Sequence, residues 1–413
     1  MGKGIYLKIV LAISIFSTIY FRIYSNLSNS KDFFWDSLVY YCGPLLFNET
    51  GNGYGSLINC SKDLVDFKFV YLPIYLRLLN FEGLSLANFE FLWISLMTIS
   101  LLVTILIIRT IYNENSLTLT LLLSLFCFSG IPLYGYLSGN ISNALYVFTA
   151  LGIFQVSTNN PKKINIGLIL ITIPSLFKIH MIIYLLSAFI AIKRINPKLF
   201  SILITLPFCF LFLNSYLYPY EFSLLSNNIS ILPYIGDMGV GSIQIINFIK
   251  SSLIGYGTAF KSGKHEWLVS SNLINSKDFI IDYLIYLLLL ILIIHRVYRV
   301  KLINLSKNIN IDKKLKISIG LIATYLIIPR LKQYDMVLCS IPLLYIVNSS
   351  YFLKCINKLI FLKGSGWIIL LFNIIILGFY NIKGDNYFIY PIILTIFLIC
   401  TNCTNKKHVK DII

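Results

Sequence analysis

Two carboxylates four residues apart, Asp32 and Asp36, are the first side chains in the sequence whose type and spacing suit catalysis. They begin an aromatic, amphipathic stretch at about residues 33–47. On a helix the two side chains would share one face, and such a helix lies flat at the membrane interface. A carboxylate there can act as a general base toward an acceptor hydroxyl. The alternative is a solvated helix start, because Asp is favoured in a first turn.

Lys178 and His180 interrupt an otherwise apolar stretch at 164–192. Ionisable groups within apolar segments are costly and mark candidate functional sites. This pair suits the binding of a phosphate group in an aqueous cavity. The alternative is that both side chains snorkel at a helix end.

A short turn between two apolar runs carries Arg330, Lys332, Tyr334 and Asp335. Arginine presents forked donors that match phosphate, and Lys332 adds a second positive charge. The alternative is a structural ion pair between Arg330 and Asp335.

The fourth polar segment is the turn at Gly139, which Asn140 and Asn143 follow. Glycine allows a close backbone approach, and the two amides suit hydrogen bonds to sugar hydroxyls. The alternative is an ordinary polar loop between two helices.

Membrane helices are the elements that must position these residues. The 413 residues are 57% hydrophobic and 12% charged, with a mean hydropathy of +0.79, whereas soluble proteins are about 25% charged. A soluble enzyme, a disordered chain and a fibrous repeat are therefore excluded. The sequence predicts an all-α polytopic membrane protein with about 10–13 crossings and a single integral membrane domain over residues 1–413.

The predicted crossings are apolar runs at about Tyr6–Tyr24, Ser85–Ile108, Ser116–Leu133, Ile141–Val156, Phe200–Leu217, Phe279–Ile294, Ile317–Ile328, Met336–Val347, Trp367–Tyr380 and Tyr387–Cys400. The stretch at 164–192 contains Pro174 and is too long for one upright span, so it is predicted to form two shorter helices. The short apolar piece Phe69–Leu79 is predicted to be re-entrant or interfacial.

The net charge of +17, from 34 basic and 17 acidic residues, fits a membrane orientation rather than a nucleic-acid partner. With the N-terminus inside, the inward loops hold 21 basic residues and three acidic ones, which is the positive-inside asymmetry. This orientation places both termini in the cytoplasm and all four polar segments at the outer end. The two long segments outside the spans, at about 25–68 and 218–278, then also face outward.

The order of these polar segments resembles glycosyltransferase family 87, a group of the GT-C class of membrane glycosyltransferases. The resemblance covers residues 1 to about 347. It rests on five features in this order: an acid before an aromatic pair (Asp36 before Tyr40-Tyr41), a Tyr-x-Pro element (Tyr71-Leu72-Pro73), a glycine turn with following amides (Gly139-Asn140 with Asn143), a lone lysine (Lys178), and an Arg-x-x-x-Tyr-Asp turn from Arg330 to Asp335. Two positions depart from the family: Asn140 stands where Gln is usual, and the Pro that often follows the Lys is absent after Lys178.

The resemblance implies a GT-C-like helical bundle that transfers a hexose from a polyprenyl-phosphate-linked donor to a glycan or glycolipid acceptor. The reaction would take place at the outer face of the cytoplasmic membrane and invert the anomeric carbon, with Asp36 as base and Asp32 in reserve. The implied donor-phosphate ligands are Lys178, His180, Arg330 and Lys332, and the implied sugar or acceptor ligands are Asn140, Asn143, Tyr334 and Asp335. Membrane lipids are the remaining expected partner, and no cofactor, metal or nucleic acid is expected.

The cysteines add one open pairing. Cys42 and Cys60 share the first outer segment, so the sequence permits a disulfide between them. Cys400 and Cys403 have CxxC spacing, but without a second pair this is weak support for zinc, and a metal site is not predicted.

Two other functions remain open. One is a polysaccharide polymerase of the O-antigen or capsule type, although the basic residues of segment 218–278 are all Lys rather than the dense Arg pattern expected there. The other is a transporter of lipid-linked glycans, although such proteins tend to have internal repeats and the sequence shows none of fixed period.

Overall fold

The computed structural model of the chain describes residues 35–60, 68–112, 139–193, 195–231, 276–305, 312–328, 337–349, 351–352, 355 and 389–402. These segments are helical, and none of them contains a strand. The predicted all-α class is therefore confirmed for the described residues. The predicted apolar runs at about 6–24, 116–133 and 367–380 lie outside them.

The helices of the described segments are α1 (Trp35–Thr50), α2 (Pro73–Leu78), α3 (Leu86–Tyr112), α4 (Ser142–Ser157), α5 (Pro161–Phe177), α6 (Leu185–Ala191), α7 (Pro197–Leu217), α8 (Pro219–Ile231), α9 (Ser276–Leu305), α10 (Lys313–Ile327), α11 (Val337–Asn348) and α12 (Ile389–Asn402). Short 3₁₀ helices occur at Leu57–Asn59 and Ile179–Tyr184. Where the structure describes the predicted apolar runs, the helix bounds agree with them to within a few residues, except that α9 continues well beyond the C-terminal end of its run.

The chain forms two compact units. Unit 1 comprises residues 1–182, 196–234 and 333–340, and it contains α1 to α5, α7 and α8. Unit 2 comprises residues 183–195, 235–332 and 341–413, and it contains α6, α9, α10 and α12. Each unit has its own internal helix packing, described below.

Two described helices, α3 and α7, are long and apolar enough to cross a membrane. The most apolar 18-residue window has a mean hydropathy of 2.6 in α3 and 1.8 in α7, and only 33% and 17% of those windows are buried. Large apolar side chains are exposed along both helices, among them Phe91, Leu96, Ile99, Phe208, Phe212 and Tyr216. Exposed apolar surface of this extent on a soluble protein would mark a binding face.

In unit 1, α3, α4 and α5 pack side by side. Near the start of α3, the indole Nε1 of Trp93 donates a 2.6 Å hydrogen bond to the carbonyl of Gly139, which lies just before α4. Buried residues continue along α3 to Tyr112 at its other end. Helices α3 and α4 therefore run in the same direction. Helix α5 returns antiparallel to α4, and a Cβ on Gly152 would lie 2.6 Å from the carbonyl oxygen of Gly167. The start of α4 and the end of α5 therefore lie at the same end of unit 1.

The end of α5 is a true break in the helix. Pro174 lies in its last turn, Lys178 adopts an extended conformation (φ −131°, ψ 97°), and a 3₁₀ helix follows. Proline disfavours continuation of the helical hydrogen bonds around it. The predicted division of the stretch 164–192 into two helices is confirmed by α5 and α6.

In unit 2, α6 and α10 cross closely and antiparallel. The Thr324 hydroxyl donates to the carbonyl of Ile183 at 3.1 Å, and a Cβ on Gly320 would overlap the Cα of Ser187. Tyr390 of α12 donates to the carbonyl of Leu326 at the end of α10 at 2.8 Å. Small residues and hydroxyls at such crossings are typical of helix packing in membranes.

Candidate functional site

Helix α1 carries the first predicted site residue, Asp36, in its first turn. A disulfide between Cys42 and Cys60 ties α1 to the segment that follows it, with the two Cα atoms 5.7 Å apart. The ring of Phe69 fills the space next to Gly43, where a Cβ would overlap it. The pairing that the sequence permits is thus present, and it fixes the helix on which Asp36 lies.

Two tyrosines join α1 to the rest of the site. The Tyr40 and Tyr71 hydroxyls share a short hydrogen bond, and the Tyr40 oxygen accepts from the backbone N–H of Ile141 at 3.3 Å. Burial, followed by the neighbouring Tyr71 and Asp36, raises the pKa of Tyr40 well above its usual value. Tyr40 therefore stays a neutral hydroxyl and holds α1 against the start of α4.

The turn before α4 depends on Gly139, whose φ of +69° is favoured only by glycine. This conformation directs the next side chain, Asn140, back over its own turn. The Asn140 Oδ1 accepts from the Ser142 backbone N–H at 3.0 Å and from the Ser142 hydroxyl at 2.8 Å, which is an Asx-turn. The side chain of Asn140 is thereby fixed with its Nδ2 facing α1.

Four side chains meet at this end of unit 1, and we name them the polar cluster: Asp36, Asn140, Ser142 and Lys178. Asn140 Nδ2 donates to the Asp36 carboxylate at 2.9 Å. The Lys178 ammonium donates to Asn140 Oδ1 at 2.7 Å and to the Ser142 hydroxyl at 2.6 Å. One amide therefore lies between a carboxylate and an ammonium group and pairs with both. Hydrogen bonds that involve charged groups are stronger than neutral ones.

The polar cluster is partly accessible, since Asp36 and Lys178 are half-buried while Asn140 and Ser142 are buried. His180 lies two residues after Lys178, on the 3₁₀ helix. The arrangement presents a carboxylate and a cation on opposite sides of one amide. In a group-transfer reaction a carboxylate can act as a base and a cation can bind a phosphate.

Asn143, on the first turn of α4, has an unusual environment. It is 1% exposed, and neither its Oδ1 nor its Nδ2 has a hydrogen-bond partner in the part of the chain that the structure describes. The buried hydroxyls of Thr149 on α4 and Thr104 on α3 also lack a partner there. A buried polar group without a partner costs about 1–3 kcal/mol, so a ligand group that reached this amide would bind it at a favourable free energy.

Five predicted site residues lie outside the described residues: Asp32, Arg330, Lys332, Tyr334 and Asp335. Of the predicted site residues that are described, the structure brings Asp36, Asn140 and Lys178 into direct contact and places Asn143 and His180 close to them in sequence. Ser142 was missed by the sequence reasoning, although its position two residues after Asn140 fits an Asx-turn.

A second polar contact, also missed, joins Arg77 of α2 to Glu221 of α8. The Arg77 guanidinium lies between two rings, 4.6 Å from the centroid of Phe47 and 4.1 Å from that of Tyr218. It donates to Glu221 at 2.7 Å. Burial alone raises the pKa of Glu221, but the hydrogen bond and charge of Arg77 bring it below its usual value. Arg77 and Glu221 are 144 residues apart, so no sequence spacing indicates the pair.

Comparison with known proteins yields no relative. No family model matches the chain, and neither the curated proteins nor the solved structures contain a match. The resemblance to glycosyltransferase family 87 therefore stays a prediction, and the function is argued from the polar cluster and its surroundings.

Proposed function

We propose that this chain is a membrane glycosyltransferase that transfers a hexose from a polyprenyl-phosphate-linked donor to a glycan or glycolipid acceptor. The observation that carries the proposal is the contact between Asp36, Asn140 and Lys178. These residues come from three elements, and their contacts join positions 104 and 38 residues apart in the sequence. A carboxylate base and a phosphate-binding cation are the two groups that such a transfer requires.

Asp36 is the general base in this mechanism. Its carboxylate takes the proton of an acceptor hydroxyl, whose oxygen then forms the new bond to the anomeric carbon of the donor. The bond between that carbon and the phosphate oxygen breaks, and the polyprenyl phosphate leaves with the electron pair. The attack comes from the side opposite the leaving group, so the anomeric configuration inverts. A carboxylate close to the anomeric carbon also stabilises an oxocarbenium-like transition state.

Lys178 stabilises the negative charge that develops on the leaving phosphate. The extended backbone at Lys178 and the two hydrogen bonds to Asn140 and Ser142 orient its ammonium group. A preoriented cation costs little reorganisation when charge develops. His180, Arg330 and Lys332 are proposed to contribute further phosphate contacts, and Asp32 is the reserve base.

Asn143 is the proposed sugar ligand with the most direct support. Its amide offers one acceptor and two donors, and the described residues use none of them. Sugar hydroxyls both donate and accept, so they can satisfy this amide. Asn140 positions the charged side chains of Asp36 and Lys178. Tyr334 and Asp335 are proposed to contact the sugar or acceptor from the turn at 330–335.

We place the protein in the cytoplasmic membrane as a multi-pass protein, with both termini inside and the polar cluster outside. Support comes from the exposed apolar sides of α3 and α7 and from the charges of unit 1. Arg109 lies in the last turn of α3, and Lys162 and Lys163 begin α5. These three basic residues lie at the end of the helices opposite the polar cluster, as the positive-inside rule requires.

The test is the Asp36→Asn variant, which keeps the size of the side chain and its ability to accept from Asn140. Membranes that contain the protein are incubated with a panel of polyprenyl-phosphate hexoses, and lipid-linked glycans are followed by mass spectrometry. We expect transfer to fall by about 10²–10⁴-fold. The matched control is Glu49→Gln, which removes an exposed carboxylate from the same helix and should leave transfer unchanged.

Undiminished transfer by Asp36→Asn would remove Asp36 from the mechanism. Growth of long chains rather than addition of one sugar would identify a polysaccharide polymerase. Movement of lipid-linked glycans across reconstituted vesicles without any transfer product would identify a transporter.

A further inference from the structure

Glu90 is a carboxylate on the inward side of α3, near the start of that apolar helix. Buried residues follow it at about two, three and five helical turns, at Met97, Leu101 and Ile108. The Glu90 side chain is itself half-buried, whereas its neighbour Phe91 is 70% exposed. Glu90 therefore belongs to the side of α3 that packs against the rest of unit 1.

The Glu90 carboxylate has no protein partner in the part of the chain that the structure describes. It forms neither a hydrogen bond nor an ion pair with those residues. Ionisable side chains in apolar helices are costly, and those that face the interior of a helix bundle are typically functional. The helix dipole favours an acid near a helix start, but that effect does not depend on which side of the helix carries the acid. A ligand with hydrogen-bond donors would satisfy this carboxylate.

The turn of α3 that carries Glu90 lies at the same end of unit 1 as the polar cluster. Trp93, one turn after Glu90, donates to the carbonyl of Gly139 at 2.6 Å, and Gly139 begins the turn that holds part of the cluster. The Trp93 ring also lies 5.2 Å from that of Tyr40, measured between centroids. Tyr40 follows Asp36 by one turn of α1. The structure thus brings the first turns of α3 next to the helix that bears the proposed base.

Glu90 lies on the side of the proposed base, away from the proposed phosphate ligand. Helix α4 packs against both α3 and α5 and lies between them. Lys178 follows the end of α5, whereas the ring of Phe89 on α3 lies 5.0 Å from that of Tyr41 on α1. In the proposed reaction the acceptor hydroxyl must reach Asp36 and the donor phosphate must reach Lys178. The acceptor would therefore enter on the side of α1 and α3, where Glu90 lies.

An aromatic ring lies over the same turns of α3. The half-buried ring of Phe81 lies 4.8 Å from that of Phe89 and 6.4 Å from that of Trp93, measured between centroids, and these two residues flank Glu90 in the sequence. Binding sites for small molecules combine aromatic side chains with a few polar groups that fix orientation. An ionised carboxylate only accepts hydrogen bonds, and sugar hydroxyls can donate them. A sugar ring offers both an apolar side for the aromatic ring and hydroxyls for the carboxylate.

We propose that Glu90 and the ring of Phe81 bind the sugar of the acceptor. The carboxylate accepts hydrogen bonds from hydroxyls of that sugar, and the ring packs against its apolar side. The two contacts orient the acceptor so that its reacting hydroxyl faces Asp36. Glu90 binds the substrate and takes no part in proton transfer. This inference rests on the proposed function and deepens it, because it assigns the recognised part of the acceptor to a hydroxyl-rich sugar.

The test measures the binding of octyl glycosides of glucose, galactose, mannose and rhamnose to the purified full chain, in a detergent without a sugar headgroup. The variant Glu90→Gln keeps the length of the side chain and removes its charge. It should bind the hexoside that the wild type prefers about 10–100-fold more weakly, which is the range for a hydrogen bond to a charged group. Its affinity for polyprenyl-phosphate hexoses should not change. The matched control Glu82→Gln removes an exposed carboxylate close by in the sequence and should bind like the wild type.

Unchanged hexoside affinity in Glu90→Gln would overturn the proposal, as would a wild type that binds none of the four hexosides. A lower unfolding temperature of Glu90→Gln would show that the carboxylate has a structural role instead. Phe81→Leu is the second variant, and it should weaken the same hexoside about 2–10-fold. These affinities do not depend on catalysis. Undiminished transfer by Asp36→Asn would therefore reject the proposed mechanism and leave the binding result to be judged separately.

Discussion

Asn140 links two charged side chains that are far apart in the sequence. Its Nδ2 pairs with Asp36 and its Oδ1 pairs with Lys178, so the carboxylate and the ammonium are both satisfied while the amide lies between them. A direct ion pair would instead neutralise the proposed base and the proposed phosphate ligand against each other. A shorter side chain such as Ser would not reach both groups.

At the residue scale, the change Asn143→Leu separates a structural from a functional role. Leu keeps the side-chain volume and removes an amide that has no partner among the described residues. We expect stability to be unchanged or about 1 kcal/mol higher. Transfer should fall by roughly 10–100-fold, because the sugar loses hydrogen bonds. Thermal unfolding and the transfer assay measure the two effects.

The control for this change is Thr104→Val, which removes a buried hydroxyl on α3 that also has no partner among the described residues. It should gain stability in the same way and keep full transfer. Loss of stability in Asn143→Leu together with unchanged transfer would show that the amide has a structural role.

The pair of Arg77 and Glu221 predicts a pH-dependent stability. The pKa of Glu221 in the folded protein is below its usual value. The carboxylate therefore stabilises the fold at pH values above the unfolded pKa of about 4.3. This contribution is lost as the pH falls through the folded pKa. Glu221→Gln should therefore lower stability by about 1 kcal/mol or less at neutral pH. Unfolding curves of wild type and variant should converge in acid.

Glu82→Gln is the matched control, because Glu82 is exposed and follows α2 closely in the sequence. Its unfolding curve should match that of the wild type throughout the same pH range. A difference between wild type and Glu221→Gln that persists below the folded pKa would show that the pairing with Arg77 is not its source.

At the element scale, α1 depends on contacts that reach it from several segments. It begins with Asp36, is linked to Cys60 by the disulfide, and meets α4 through Tyr40. The packed residues around it include Tyr54, Phe69 and Tyr75, and the Asn228 amide of α8 donates to the carbonyls of Tyr54 and Phe69 at 3.1 and 3.2 Å. The position of the proposed base is thus set by a small folded segment, rather than by α1 alone.

The double variant Cys42→Ser/Cys60→Ser tests this dependence. The disulfide closes a loop with a sequence separation of 18 residues, and its loss should cost about 2–4 kcal/mol. We expect a lower unfolding temperature and a loss of transfer at temperatures where the wild type is active. Cys209→Ser, which removes an exposed free cysteine, should change neither. A fully active and equally stable double variant would contradict a positioning role of the disulfide.

At the scale of the whole molecule, the orientation in the membrane is the main prediction. Glu49 at the end of α1 and Lys162 at the start of α5 are both exposed, and they are expected on opposite sides of the membrane. In a Cys209→Ser background, a membrane-impermeant maleimide applied from outside should label Glu49→Cys but not Lys162→Cys. Labelling of Lys162→Cys should appear once the membrane is permeabilised.

The reverse labelling pattern would invert the orientation and place the polar cluster in the cytoplasm. A donor linked to an outward-facing lipid could then not reach Asp36. Labelling of both positions from outside would mean that α5 begins on the same side as the end of α1.

The sequence by itself predicted the helical class, most helix positions and the division of the stretch 164–192 into two helices. Hydrophobic run length and Pro174 are local properties, and they act through the backbone within a few residues. It also indicated Asp36, Asn140 and Lys178 as polar residues in apolar surroundings.

Only the tertiary structure decided which of these residues meet. The contact between Asp36 and Asn140 and the pair of Arg77 and Glu221 each depend on the order and direction in which helices pack. Such contacts arise from burial and shape along whole helices, so the spacing of a few residues does not encode them. The sequence therefore determined which polar residues are candidates for chemistry, and the packing decided which of them are in contact.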